Sequence, residues 1–546
     1  MAKRPVNLSR LSPVERSTLA RFVAFPERFS IDWFAEIEGV RPSHLLSIIS
    51  FLEHHHWISP VKDGGGLYEW SKSFPREQIL SDIPEREQAQ NYRHAVNVLQ
   101  KHLPETSENT LRIANTCLLA GIDESDQEVI LKAAFEEEAN HRICSAIRFY
   151  DQLLAFMEKR GVVQGSLPSP ETFRTLMSAL ERRATLSLLH PNLKRIKPWL
   201  IAAKDIATRL NDIRARASLE LLIGQNCWMS FQYEQAIAHF ETAWDMIKKI
   251  EDRDLRKRGL QLQGLSFLIR GELLKAVQSY EESLGELEQA AADDFSLLTA
   301  LHLSHCYTQL GMPQRGLGIS ETIYTEAKKN QNWPLVCFAL ATSGLILMEM
   351  MHIKESRAYF EMVIDICRKE STPMAEIFAG VGLANIECME GNFEKAAEHF
   401  KVLFRIRKSS WYHTLNACHI FEPGFMLHQR GISPIELGSV VNFLGEMKEE
   451  QLNPLVYGSI RRLCIKYLED DVKPKDKLRE LLEIEASLEQ IGALHELAKT
   501  RIDLTRLYLK LNHWPQAETA ARKAWDFLKR AAKSAFPPDL KSLISS

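Results

Sequence analysis

A chain of 546 residues is too long for one compact core, so it must form several domains or a repeat array. Its 68 basic and 71 acidic residues leave a net charge of −3, so nothing global argues for a polyanion partner or a membrane surface. Nine cysteines stand singly at 117, 144, 227, 306, 337, 367, 388, 418 and 464; the odd, irregular set excludes a disulfide framework and points to a reducing compartment.

No apolar h-region follows "MAKRPVNLSR", and the most apolar run, 337–351, is too short to cross a bilayer. A cytoplasmic protein without membrane contact is expected.

In chain order, "LSPVERSTLARFVAF" (11–25) predicts a helix with Ser12 as N-cap, Pro13 at its first position and Glu15 at its third. "SIDWFAEIEG" (30–39) predicts a second short helix, capped by Ser30 and stopped by Gly39. "RPSHLLSIISFLEHHH" (41–56) predicts a third, capped by Ser43 or begun at Pro42, with one broad apolar face. "WISPV" and "LYEWS" predict two strands around the turn "KDGGG". Three helices and a hairpin make a winged helix.

His54, His55 and His56 point 100° apart on a helix, so they do not converge on a metal ion. A solvated helix end, where His suits the C-terminal dipole, is the expectation. Gly64–Gly66 form the tip of a hairpin. No GxxxxGK[ST] occurs, so the chain holds no P-loop.

Residues 1–103 carry 13 Lys/Arg against 12 Asp/Glu, a thin basic footprint for reading DNA. Arg41, His44, His55 and Lys62 are the candidate nucleic-acid or docking face, with docking favoured.

The strongest signal is a forty-residue repeat. Ala184, Gly224, Gly264, Ser304, Gly344, Ala384 and Gly424 are spaced by 40 and are all small. Twelve residues on stand Ile196, Ala236, Ala276, Gly316, Ser356 and Ala396. Four beyond those stand Leu200, Phe240, Tyr280, Ser320, Phe360 and Phe400. Pro191, Gly271, Gly311, Gly391 and Gly431 fall between as a turn column. This predicts one helical hairpin per repeat. Small residues let helices A and B cross closely, and the aromatic fills the space toward the next hairpin. A single hairpin cannot bury its own apolar face, so neighbours must stack into a solenoid.

"LIGQNCWMSFQYEQAIAHFETAW" (222–244) and "GLSFLIRGELLKAVQSYEESL" (264–284) resemble tetratricopeptide repeats (TPRs), with helices lengthened to fill 40 residues rather than 34. The phase weakens after about 405 and returns in "RIDLTRLYLKLNHWPQAETAARKAW" (501–525). The expected organisation is a winged helix over 1–75, linking helices and first hairpins over 76–160, and a regular solenoid over 161–404. Degenerate repeats or a hinge follow over 405–475, then final repeats and a tail over 476–546. The fold class expected is all-α, a winged helix followed by an α-solenoid.

Between wing and repeats lie "SKSFPREQILSDIPEREQAQNYRHAVNVLQKHLPE" (71–105) and "ENTLRIANTCLLAG" (108–121), with Tyr92, Arg93, His94, Val98 and Ile113–Ala114 near a family pattern. In this order of parts the chain resembles STAND-type signalling ATPases and the sensory region of bacterial sigma-54-dependent transcription regulators. The missing P-loop departs from that pattern, so the resemblance implies only the sensing half.

Carrying the repeat phase onto the helix A face gives a candidate partner-binding groove of Leu221, Gln225, Trp228, Gln261, Leu268, His305, Thr308, Met348 and Asn385. It is apolar with a few amides and one His, which suits an amphipathic helix or an apolar peptide segment; a tight superhelix burying these side chains on itself is the alternative. His302, His305 and Cys306 have a spacing that can also hold metal, with core or groove histidines favoured. The charged "GEMKEE" (445–450) offers a protease-sensitive site at Met447 and Lys448.

No nucleophile, cofactor or metal arrangement can be argued, so an enzyme is not expected. The expected function is a regulatory scaffold that binds protein partners in bacterial signalling or transcription control. Two alternatives stay open. One is a DNA-binding regulator; the other is a scaffold that sequesters a sigma factor or effector until proteolysis, as in CRISPR-associated antiviral defence.

Overall fold

The computed structural model describes residues 11–25, 27–35, 41–61, 66–140, 142–162, 166–186, 196–230, 232–285, 294–370, 373–401, 417–432, 444–445, 454–469 and 472–544. The chain divides into two units, Met1–Leu186 and Ser187–Ser546.

The first unit opens with α1 (Pro13–Val23), whose N-terminus is closed by a reciprocal capping box between Ser12 and Glu15. Then come β1 (Arg28–Ser30), α2 (Asp32–Ala35), α3 (Pro42–His54), β2 (Ile58–Pro60) and β3 (Leu67–Trp70). The three strands form an antiparallel sheet in the order β1-β3-β2. One expectation changes here. Ser30 ends a strand instead of beginning a helix, although its hydroxyl still accepts from the Asp32 N–H at 3.2 Å. Of the two starts read for α3, the one at Pro42 is realised, behind Arg41.

Phe22, Phe25, Phe29 and Phe34 are fully buried and pack ring against ring, Phe22 stacking on Phe34 at 3.6 Å between centroids. This aromatic burial holds together a domain whose strands are only three or four residues long.

Helices α4 (Arg76–Ser81), α5 (Glu85–His102) and α6 (Ser107–Ala120) follow, then α7 (Gln127–Ala139), α8 (Ile143–Lys159) and α9 (Pro170–Leu186). The Trp70 indole and Arg76 both donate to the Phe25 carbonyl, at 3.0 and 2.5 Å, and Arg112 of α6 donates to the Arg28 carbonyl. The small sheet is thus hydrogen-bonded to the helices after it. Arg93 of α5 bridges Asp123 at 3.0 Å and the fully buried Asp126 at 2.8 Å, so the residue picked out near the family pattern is an internal strut.

The second unit is a TPR-like solenoid. After α10 (Lys197–Arg209), helices A and B alternate: α11 (Ile213–Met229) with α12 (Tyr233–Ile247), α13 (Arg253–Ile269) with α14 (Leu273–Leu284), and α15 (Asp294–Gln309) with α16 (Pro313–Lys329). α17 (Trp333–Glu349) pairs with α18 (Ile353–Glu370), and α19 (Pro373–Met389) with α20 (Phe393–Phe400). Asp212 and Asp252 cap α11 and α13 at the same phase of the repeat, and Asn332 caps α17.

The small and aromatic columns meet as the repeat predicts. A Cβ on Gly224, Gly264 or Gly344 would stand 2.5–2.6 Å from the ring of Phe240, Tyr280 or Phe360. Phe360 also fills the space over Gly382 of the next hairpin. Where Ser320 breaks the aromatic column, its hydroxyl pairs with that of Ser343 at 2.8 Å. Gly271, Gly311, Gly391 and Gly431 take positive φ at the turns, and Met351 adopts the same conformation at +62° without being glycine.

α11 touches α13, α15 touches α17 and α17 touches α19 directly, the last most extensively, while contacts between successive B helices are sparser. The A helices therefore form the inner layer of the stack. After α21 (Ala417–Gln429) come α22 (Pro454–Tyr467), α23 (Pro474–Gln490), α24 (Leu494–Lys510) and α25 (Trp514–Ala531). No helix among the described residues is long and apolar enough to cross a membrane.

Candidate functional site

The A-helix layer carries every predicted groove residue: Leu221, Gln225 and Trp228 on α11, Gln261 and Leu268 on α13, His305 and Thr308 on α15, Met348 on α17, and Asn385 on α19. An open groove is not what the structure shows. All are buried except Trp228 and His305, which are half-buried.

Three of them have local roles. Thr308 bonds the Ser304 carbonyl at 3.0 Å and lies against Gly316 inside its own hairpin. Asn385 donates to the carbonyls of Val381 and His419, tying α19 to α21 at 3.1 and 2.5 Å. Leu268 lies in one apolar cluster with Tyr280, Leu303 and Tyr307 from the array and Leu481, Leu497 and Leu504 from the C-terminal helices. The C-terminal hairpins thus cover the layer, and α24 supplies much of the cover.

Gln225 and Gln261 behave differently. Both are buried, and neither the amide oxygen nor the amide nitrogen of either finds a protein partner. On the neighbouring helix, His305 Nε2 and Gln309 Oε1 are likewise without one. Leaving a buried donor or acceptor unpaired costs about 1–3 kcal/mol, so these side chains stand apart from the satisfied polar groups around them.

Burial holds His302 down at about 4 and His305, which also faces His419 and His302, at about 3. Burial pushes the neighbouring Cys306 thiol up to about 12. His302 lies 6.1 Å from both the Trp228 and the Tyr280 rings. Among the described residues no three His, Cys, Asp or Glu side chains are placed to hold a metal ion.

A polar cluster escaped sequence reading. Glu349, in the last turn of α17, receives Lys499 at 2.6 Å, His419 at 3.3 Å and the His495 imidazole. Lys499 also pairs with Glu496 at 2.9 Å. Glu496 meets Arg462 at 3.1 Å, and Arg462 meets Asp503 at 2.9 Å. Burial alone would raise Glu349, but Lys499, His495 and His419 outweigh it and hold the carboxylate well below its ordinary range. Burial is likewise overcome at Glu496, which Lys499 and Arg462 hold at about 2. A carboxylate at a helix C-terminus faces the unfavourable end of the dipole, so Lys499 and the two imidazoles are what keep Glu349 there. The partners lie about 150 residues apart, and no local pattern links them.

A second polar group joins α11 and α12. His239 Nδ1 and Lys204 Nζ both reach Glu220 at 2.6 Å, and the imidazole also donates toward the Cys227 sulfur. The Cys227 bond first, and Glu220 second, raise His239 to about 9. Sequence reading offered no Cys–His pair; the fold makes one, with Cys227 buried and Glu220 already neutralised by Lys204.

On the N-terminal face, Arg41 is exposed and His44 is half-buried with Nδ1 unpartnered. His55 turns back onto its own helix, its Nδ1 meeting the Phe51 carbonyl at 2.9 Å and its ring lying 4.8 Å from Trp57. Ser47 donates to Glu15 at 2.6 Å, which with the Ser12 bonds holds that carboxylate at about 2. Lys62, Met447 and Lys448 lie outside the described residues.

No protein-family model matches the sequence, and no curated protein matches it. Solved structures do. The chain is similar to a Rap protein complexed with Competence and Sporulation Factor, at 14% identity over 75% of this chain and 99% of that one, with a TM-score of 0.44. It is similar to the apo form of the quorum sensor NprR from B. thuringiensis, at 13% over 74% and 99%, TM-score 0.37. A third is a STAND protein with a tetratricopeptide repeat sensor from Pyrococcus horikoshii, at 16% over 74% and 66%, TM-score 0.33. These likenesses concern the repeat fold alone.

Proposed function

We propose that this chain is a non-enzymatic regulatory scaffold whose repeat array binds a segment of a partner protein along α11, α13 and α15. The carrying observation is the row of unpartnered buried groups on Gln225, Gln261, His305 and Gln309. A carboxamide offers a donor and an acceptor side by side, as a peptide group does, so an extended apolar segment pairs its main chain there and buries its side chains among the neighbouring apolar residues. Trp228, half-buried beside this row, supplies the aromatic wall.

The first domain is proposed to be a winged helix. Its element order and its β1-β3-β2 sheet support that reading. Docking to a protein is favoured over DNA, because the exposed face of α3 offers Ser43, Leu46, Ser47 and Ser50 with Arg41 as its only Lys or Arg. Sigma-factor sequestration and proteolytic release at Met447–Lys448 remain proposals resting on the charge of that stretch.

The test is the double variant Gln225→Leu/Gln261→Leu. Removing unpaired buried amides stabilises the free protein by about 1 kcal/mol each, raising the urea midpoint. The same change abolishes recovery of whichever partner the wild type retains on affinity beads. Unchanged recovery of that partner overturns the reading.

A further inference from the structure

The C-terminal hairpins return to the middle of the array and close on it. Gly271 is in contact with Pro454 and Ile491, and Gly311 with Phe527, so closely that a Cβ at either glycine would stand 2.6 or 2.2 Å from them. Gln314 donates to the Ala531 carbonyl at 3.3 Å. Ile346 and Met350 share a cluster with Ala498, Ile502 and Phe536. These contacts bury an apolar face of α13, α15 and α17 that an open stack would leave to solvent.

The fastening differs from the packing within each hairpin. Beside the apolar contacts it has a polar centre: Glu349 of α17 meets His495 and Lys499 of α24 and His419 of α21, and Glu496, Arg462 and Asp503 continue the cluster inside the cover. It is also incompletely satisfied, since Arg462 Nε and His495 Nδ1 have no partner. Buried ion pairs give little net stability against desolvation, yet losing one member leaves the others uncompensated. Such a joint is specific in its register and breaks as a unit.

We infer that helices α22 to α25 are a detachable cover of the chain's own making, held over α13, α15 and α17 by the ionic clasp at Glu349. When the clasp opens, the array keeps its hairpins and the apolar face bearing Leu268, Leu303, Tyr307, Ile346 and Met350 becomes accessible. The inference is independent of the proposed peptide row, and its test uses no ligand.

Cysteines already in the chain report the event. Cys306 lies in the cluster that α24 covers, whereas Cys337 lies in the core between α17 and α18. The full chain is labelled with an aromatic disulfide under native conditions, and each thiol is followed by mass spectrometry. The thiol attacks that disulfide, forming a mixed disulfide on cysteine and releasing the aromatic thiolate. Cys306 is expected to label at least tenfold faster than Cys337. Glu349→Gln/Lys499→Met, which removes both charges together, is expected to accelerate Cys306 a further tenfold and leave Cys337 unchanged. Equal rates at the two cysteines, or a Cys306 rate the variant does not move, overturn the inference. Should the variant not fold, the wild type in urea below its transition decides. A weaker urea dependence at Cys306 than at Cys337 supports local release, and identical dependences overturn it.

Discussion

Two joints in the solenoid are built on opposite principles. Between α17 and α18 the contact is a glycine under an aromatic ring, with Phe360 pressed on Gly344 and Gly382. Between α17 and α24 it is a carboxylate under Lys499 and the His495 imidazole, with His419 of α21 beside them. The first joint is between sequence neighbours and depends on shape. The second is between residues some 150 apart and depends on charge. Shape complementarity tolerates a change of pH or salt, and charge complementarity does not.

The sharpest way to break that contrast is Glu349→Ala. Lys499 is then left with Glu496 alone, and the buried His495 and His419 lose the carboxylate they bond, a break in a buried cluster that costs about 3 kcal/mol. Urea denaturation should show the C-terminal helices lost first, and Lys499→Met added to Glu349→Gln should recover most of the loss. Acid is the next largest effect. His302, His305 and His419 are held neutral by burial, facing Glu349, Glu496, Lys499 and one another. Below about pH 6.5 the unfolded chain binds protons that the folded chain does not, so stability falls as pH drops toward 4. For His302 and His305 the loss is on the order of 2 kcal/mol each at pH 5. A melting temperature that stays flat from pH 7 to 5 would contradict this.

The shape-based joint should respond to volume instead. Gly344→Val places methyl groups inside the Phe360 ring and costs about 1–3 kcal/mol, with the same loss at pH 7 and pH 5. The smallest effect lies at the α11–α12 joint. His239 is raised to about 9, so its contribution is complete below pH 6.5 and is lost as pH rises through 9. His239→Gln should remove an alkaline slope of about 1 kcal/mol between those values, read from thermal melts.

What the sequence reveals follows from the same contrast. Shape repeats along the chain, so Gly224, Gly264 and Gly344 and their rings Phe240, Tyr280 and Phe360 were legible as columns forty apart, and the turn glycines with them. Ser320 looked like a defect and is a hydroxyl pair with Ser343, a substitution that periodicity alone does not explain. β1 went unseen because three residues are too few to show alternation. The groove residues were placed on the correct helices, but phase along a helix does not tell what covers it. Leu268 is covered by helices more than 200 residues later. Glu349, His495 and Arg462 each sit in an ordinary helical stretch, and only the closed fold makes them a cluster.

The turn glycines have a further consequence. Repeat proteins ordinarily gain or lose modules freely, since each touches only its neighbours. Here Gly271 and Gly311 are keyed to Pro454 and Phe527 across the intervening hairpins. Deleting the forty residues from 351 to 390 would join Met350 to Gly391 in good local register, yet bring every later helix back one module out of step. The array therefore counts: its number of hairpins is as fixed as the teeth of a gear that must mesh with itself.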